Sequence, residues 1–465
     1  MRHKATWIVL VLAITLFTTS AVAQRTTATL YGIVTDPTGG VVPGVTIELT
    51  NQLTNAKLTA VSNDVGEFTF SFVPVGVYDL KAELTGFKTH VRTGLELSSG
   101  QQIRYPIELE IGEISDVTTV QAEAPLLQSA AVTKADAVSN LQLSELPQSG
   151  RDFTNFLTLQ NGVRYDTDGM FSINGLATAG ITVTVDGVDA AGDPETSSMA
   201  NFQGFNKINV MSQEAIQEVV VSKGVMSAEV GRTFSGNVNV ISKSGTNDFH
   251  GSLFETIQND ALNARNGWAT SDQKTPVRYN QFGGSIGGPI IKDKGFFFFA
   301  YEGYRQRNSN VYTREVPTPE FREQVIAALP ESRGFFELWP DPTESYEPGD
   351  SNANARYVDA ETANDDHFVF RTDWNVNFTN MISARYTGGS PDRKEVRQAK
   401  GNPREYFGEN HSGNITWTRS AATWANELRA GLNHQQMERT DAIFAKTRPL
   451  ESDWTMTAFE LMVKG

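Results

Sequence analysis

The chain contains no cysteine, which removes disulfide staples and thiolate metal sites from consideration. Histidine is almost as scarce. The six present, His3, His90, His250, His367, His411 and His434, are scattered, and no HExxH pattern joins any two of them as metal ligands. No Walker-type phosphate loop is present, and an excess of positive charge is also missing. With 39 basic against 54 acidic residues the net charge is −15, so a phosphate backbone has no basic stripe to bind and nucleic acid is excluded as a partner. After the first two dozen residues there is no long apolar run, so a membrane could be crossed only by strands closed into a barrel.

The one apolar run lies at the start of the chain. Arg2, His3 and Lys4 precede the stretch from Trp7 to Phe17, and Ala21-Val22-Ala23 supplies small residues for cleavage. The run is shorter than the approximately twenty residues of a spanning helix. Residues 1–23 are therefore expected to be an export signal, with cleavage between Ala23 and Gln24.

Gly 39 and Phe 27 beside only 18 prolines describe a strand-and-turn chain rich in aromatic surface, and 465 residues exceed one ordinary core. From 26 to 112 the residues alternate with period two. Val45, Ile47 and Leu49 share a face, as do Phe68, Phe70 and Phe72, then Tyr78, Leu80, Ala82 and Leu84, with turn residues between the runs. A small antiparallel β-sandwich is expected. The stretches LYGIVTDPTGGVVPGVTIEL (30–49) and NDVGEFTFSFVPVGVYDLKAELTGF (63–87) resemble the carboxypeptidase regulatory-like domain. The resemblance implies a non-catalytic transthyretin-like or carbohydrate-binding-like sandwich, serving as a periplasmic spacer or docking module, with sugar binding as the alternative.

Residues 113–145 read as a linker, with a helix expected from Asp136 to Leu146 and stopped by Pro147. Within the linker, Asp116, Val117, Thr118, Thr119, Val120, Gln121 and Ala122 are acidic at the start and then β-prone, a segment that another protein could capture as an added strand. It resembles a TonB box, the alternative being the sandwich's own last strand running on. Residues 146–245 mix helix-like and strand-like pieces. LPQSGRDF (146–153), FSINGLATAGITVTVDGVD (171–189) and IQEVVVSKGVMSAEVGRTFSGNVNVISKSG (216–245) are similar, in order, to a TonB-dependent receptor plug domain. Ile181, Val183 and Val185 run into an Asp186-Gly187 turn, and Ile216, Glu218 and Val220 begin another strand. The plug is expected to be a small α+β domain.

KSGTNDFHGS (243–252) and RYNQFGGSIGGPIIKDKGFFFFAYEGYR (278–305) resemble the opening barrel strands of Oar-like TonB-dependent transporters. Further on, Phe368, Phe370, Thr372, Trp374, Val376 and Phe378 would face lipid while His367, Arg371, Asp373, Asn375 and Asn377 face the lumen. A short turn at Asn377 to Asn380 leads back through Ile382, Ala384 and Tyr386. A second hairpin sets Ile415 and Trp417 against Trp424, Leu428, Ala430 and Leu432. Gln306 to Asp365 is expected to be an extracellular loop carrying a small helix near Glu320 to Leu329. Residues 246–465 thus read as a partial barrel of roughly seven to nine strands, against about 22 in a complete transporter. The last residues, Leu450 to Gly465, alternate poorly, and the resemblance implies either a fragment of a longer product or a truncation.

The expected fold is mainly β: sandwich, plug, then the first strands of an antiparallel outer-membrane barrel. The resemblance implies an outer-membrane receptor or transporter that takes up a siderophore, oligosaccharide, peptide or protein, energised by periplasmic TonB, surrounded by outer-membrane lipid, with no cofactor and no catalysis. A surface adhesin and a carbohydrate-binding periplasmic protein are the alternatives. Two chemical features are read as turns and loops: the acidic set Asp186, Asp189, Asp193 and Glu195, whose spacing is not that of a calcium loop, and Lys243-Ser244-Gly245, whose SxxK companion at Ser271 to Lys274 falls after it in a polar segment.

Overall fold

The computed structural model describes residues 26–113, 117–120, 134–146, 151–165, 171–176, 180–190, 210–224, 233, 235–264, 276–337, 339–396, 403–421, 424–441 and 454–464. The cleavage pair Ala23 and Gln24, the residues Asp193 and Glu195, and Ser271 to Lys274 lie outside these.

The first region is a sandwich of two sheets. One contains β1 (Ala28–Thr35), β4 (Glu67–Val73), β7 (Gln102–Arg104) and β8 (Ile107–Glu108), in the order β4-β1-β7 with β8 also on β1. The other contains β2 (Thr46–Asn51), β3 (Lys57–Val61), β5 (Gly76–Glu83), β6 (Thr89–Leu97) and β9 (Val117–Val120), in the order β3-β2-β5-β6-β9. Leu30, Ile47, Leu49, Phe68, Phe70 and Leu80 meet between the sheets, as the period-two pattern requires. Phe72 departs from the expected face. Its φ is +56°, so the alternation slips, and Val73 takes the buried place opposite Ala28.

The second region is a mixed five-stranded sheet in the order β10-β15-β16-β13-β14, built from β10 (Lys134–Ser139), β13 (Ile181–Val185), β14 (Val188–Asp189), β15 (Ile216–Lys223) and β16 (Gly236–Ser242). The hairpin β11 (Val163–Tyr165) and β12 (Phe171–Ile173) flanks it. The helix expected over 136–146 is shorter than its pattern suggested. Lys134–Ser139 pairs with β15 as a strand, and helix α1 covers only Asn140–Glu145, started by a capping box between Ser139 and Gln142. Strand β15 also differs from expectation: its register shifts between Ile216 and Glu218. Ile216, Val219 and Val221 therefore join the core with Val183, Val185, Val238 and Val240, and Glu218 turns to the opposite face.

The third region is an antiparallel wall. It runs β17 (His250–Asn259), β18 (Val277–Ile291), β19 (Gly295–Pro317), β20 (Asn352–Asn377), β21 (Asn380–Gly389), β23 (Pro403–Ser420), β24 (Ala425–Asp441) and β25 (Trp454–Lys464), with the short β22 (Asp392–Val396) between β20 and β23. The Asn377 to Asn380 turn forms as read, its two ends paired. The stretch 306–365 is not a loop throughout, because β19 and β20 pair from Gly295 and Trp374 out to Pro317 and Asn352. Only the tip leaves the sheet, and it carries α2 (Pro319–Ala328), capped by Thr318. The poorly alternating C-terminal residues nevertheless form β25 against β24.

The wall has two unlike faces. Phe368, Phe370, Val376, Phe378, Ile415, Trp417 and Leu432 are exposed on the outer one. On the inner one, Phe298, Ala300 and Val369 enter the core cluster of the second region. No described helix is long and apolar enough to cross a membrane.

Candidate functional site

The inner face of the wall grips the second region through charges. The β13–β14 hairpin turns on Asp186 and Gly187, both with positive φ (48° and 73°), the geometry a two-residue hairpin favours. This turn aims the Asp186 carboxylate at the wall. It accepts bonds from the Ser242 backbone N–H (2.9 Å) and the Ser242 Oγ (2.8 Å). Arg385 on β21 brings its Nε within 2.8 Å of Asp186 Oδ2, an ion pair without straight hydrogen-bond alignment. Arg371 on β20 lies 3.7 Å from Asp186 Oδ1 and pairs with Asp373 at 2.8 Å. Arg371 also donates to the Ser242 carbonyl, and Ser244 Oγ donates to Asp373 at 2.7 Å. Burial alone would push the Asp186 carboxyl up, but Arg371, Arg385 and the Ser242 bonds together hold it below the ordinary carboxylate value.

Three further contacts extend the grip. Ser212 Oγ donates to the fully buried Glu302 of β19 at 2.5 Å. Arg151 ion-pairs with Glu214 and stacks 3.7 Å over the Phe254 ring. Arg429 of β24, also fully buried, pairs with Glu427 at 2.8 Å and donates to Thr26 Oγ1 at 2.6 Å. A Cβ on Gly187 would lie 1.8 Å from Arg429 Nη1, so close approach as well as positive φ demands glycine there.

The sandwich docks beneath. Glu218, turned away from the core by the β15 register shift, accepts the Ser99 backbone N–H at 2.7 Å. Burial pushes its carboxyl up to about 7, against the opposing pull of its bonds from Ser99 and Ser98. On the far side, Asn55 Nδ2 donates to Asp293 Oδ1 at 2.9 Å in the β18–β19 turn.

The sequence-level site residues are distributed unevenly over this arrangement. Val117–Val120 forms β9 and pairs in parallel with β6, Thr89 against Val117 through Arg92 against Val120. Asp116, Gln121 and Ala122 lie outside the described residues. Of the lumen set, Arg371 and Asp373 belong to the grip and His367 is buried. Asn375 donates to the Asp293 carbonyl at 3.2 Å, and Asn377 caps its own turn. Asp186 serves the turn, as its Asp-Gly pair suggested, and the lock as well. Arg385, Glu302, Glu218 and Arg429 escaped the sequence reading. Strict alternation beside Ile382, Ala384 and Tyr386 would have set Arg385 inward. Among the described residues no group of three or more His, Asp or Glu stands close enough to hold a metal ion.

Known proteins resemble the chain region by region. Residues 29–110 match the carboxypeptidase regulatory-like domain, 124–238 the TonB-dependent receptor plug domain and 241–329 an outer membrane beta barrel domain. A TonB-dependent transporter Oar from Myxococcus xanthus is 27% identical over 312 residues, which span 63% of this chain but 28% of that protein. Among solved structures, the siderophore receptor PirA from Acinetobacter baumannii aligns at 14% identity and a TM-score of 0.44, covering 71% of this chain and 44% of its own. The outer membrane transporter YddB from Escherichia coli aligns at 12% and 0.44, covering 66% and 40%. The chain thus spans less than half the length of these relatives. A sandwich, a plug and a barrel wall with an exposed apolar outer face, matched in that order, place the chain in the outer membrane and make it similar, domain by domain, to TonB-dependent receptors and transporters.

Proposed function

We propose that the protein is a non-enzymatic receptor that takes up a ligand through a plugged barrel, energised when TonB captures the segment Asp116 to Ala122. The division proposed with it is a signal at 1–23, the sandwich at 26–112 in the periplasm, the coupling linker at 113–145, the plug at 146–245 and the barrel wall at 246–465. The observation that carries the reading is the Asp186 lock. A stopper held by ion pairs to Arg385 and Arg371 stays shut without work, because separating a buried pair leaves uncompensated charge on both sides. A pulling partner supplies that work, and strand addition along a short β-prone segment gives it a handle. Val117–Val120 already pairs by its backbone with β6, so this partner would have to displace it from the sandwich edge. The ligand class stays open among siderophore, oligosaccharide, peptide and protein.

The test is deletion of 116–122 in cells producing the full-length protein. Energy-dependent uptake is expected to vanish while surface binding of the ligand persists. Unchanged uptake would instead favour a receptor or adhesin that binds without transport.

A further inference from the structure

Across one rung of the barrel wall the register aligns Arg278 with Arg307, Arg307 with Thr362, Thr362 with Lys394, and Lys394 with Glu405. Residues directly opposite in antiparallel strands share a face. That face is the outer one, because Phe282 and Ile286 stand at even steps from Arg278, and Phe299 and Tyr301 at even steps from Arg307, on strands whose registers are unbroken over these residues. Arg278 and Arg307 are exposed and Lys394 is half-buried. None of the three has an ion pair among the described residues, in a chain whose net charge is −15.

Height on the wall tells what solvent they meet. From Ile290, near the short β18–β19 turn, to Phe282 the outward side chains are apolar or glycine, a climb of about 20 Å for a strand tilted as barrel strands are. Arg278 stands roughly 10 Å higher. The apolar band of an outer-membrane barrel is about 25 Å tall, with the long loops at its extracellular end. The rung therefore lies on the long-loop side, where acyl chains give way to outer-leaflet headgroups. One row below, Arg305 is already committed, to Asp366 at 2.8 and 2.9 Å and over the Phe282 ring. Beyond Lys394 the rung ends in acid at Glu405.

Two guanidiniums set directly opposite each other repel, and a phosphate between them reverses that cost with bidentate, charge-assisted bonds. We propose that Arg278 and Arg307, flanked by Lys394, bind the phosphate of a phosphorylated lipid headgroup in the outer leaflet while the lipid's chains lie along Phe282, Ile286 and Phe299.

The full chain, folded in dodecyl maltoside micelles, would be titrated with diphosphoryl lipid A, with its dephosphorylated form, and with inorganic phosphate as competitor. Heat-modifiable gel migration would confirm folding of every variant. The phosphorylated lipid is expected to bind and the dephosphorylated form to bind more weakly. Inorganic phosphate is expected not to displace the lipid. The double variant R278Q/R307Q should weaken binding roughly thirtyfold and K394Q roughly fivefold, the order expected for the loss of two basic charges and one at a lipid surface. Should the double variant misfold, R278K/R307K keeps the charge and should bind more weakly than the parent by losing the bidentate fork. E405Q, which removes the negative charge set opposite Lys394, should tighten binding. Equal affinity for the dephosphorylated lipid, parent-like binding by folded R278Q/R307Q, or displacement by inorganic phosphate at equimolar concentration would each overturn the assignment.

Discussion

The sandwich and the barrel wall are written in the same code and obey it in opposite senses. In β2, Ile47 and Leu49 alternate with Glu48 and Thr50, and the apolar members are buried while the polar ones reach solvent. In β20, Phe368 and Phe370 alternate with His367, Val369 and Arg371, and here the aromatic members are exposed while His367 and Val369 are sealed inside. Period two specifies that a strand has two unlike faces. Which face meets a partner is set by what else is in the chain. The sandwich has a second sheet for its apolar face, whereas the wall has a plug that fills its polar one.

Each contrast can be broken separately. Removing Arg385 by Arg385→Ala leaves Asp186 buried with one fewer counter-charge, and the plug should loosen by about 3–5 kcal/mol, read as a lower urea midpoint and faster proteolysis between 180 and 190. In the sandwich, Ile47→Ala should cost about 2–5 kcal/mol, measured by thermal unfolding, in water and in micelles alike. On the wall, Phe370→Arg should cost roughly 2–4 kcal/mol in a bilayer but little in the sandwich's own unfolding transition. Equal loss in both transitions would defeat the idea of oppositely directed faces.

The two interfacial carboxylates sharpen the comparison by responding to pH in opposite directions. Asp186 is held below its ordinary 3.8, so its contribution to the lock is intact above that value and is lost as pH falls below it. Glu218 is raised from 4.5 to about 7, so its contribution to docking the sandwich under the plug is complete below pH 4.5 and is lost as pH rises to about 7. Glu218→Gln keeps the acceptor for Ser99 and should flatten that dependence between pH 4.5 and 7. A midpoint-versus-pH series for the two proteins checks it, and parallel curves would show that Glu218 is not the titrating group.

Much of this was legible from local pattern. The three domains announce themselves through turn residues and alternation, and the Asp186-Gly187 hairpin, the Asn377 to Asn380 turn and the helix after Thr318 lie where the residues suggested. The misses share a cause. Phe72, Glu218 and Val220 depart from the faces their alternation predicts because a bulge moves a residue to the other face without leaving a mark in composition. Lys134–Ser139 had a helix-compatible pattern and became a strand because β15 offered an open edge. The outer parts of β19 and β20 are polar on both faces, so nothing in their hydropathy distinguished paired strand from loop.

By itself the sequence determined the segments, their faces and the classes of chemistry that are absent, because these follow from nearest neighbours and a period of two. Only the tertiary structure decided that Asp186 meets the distant Arg385, that Glu218 is buried under Ser99, and that Arg278, Arg307 and Lys394 line up on one rung. Such pairings depend on strand register and on which face is filled, and both are settled only when distant segments pack.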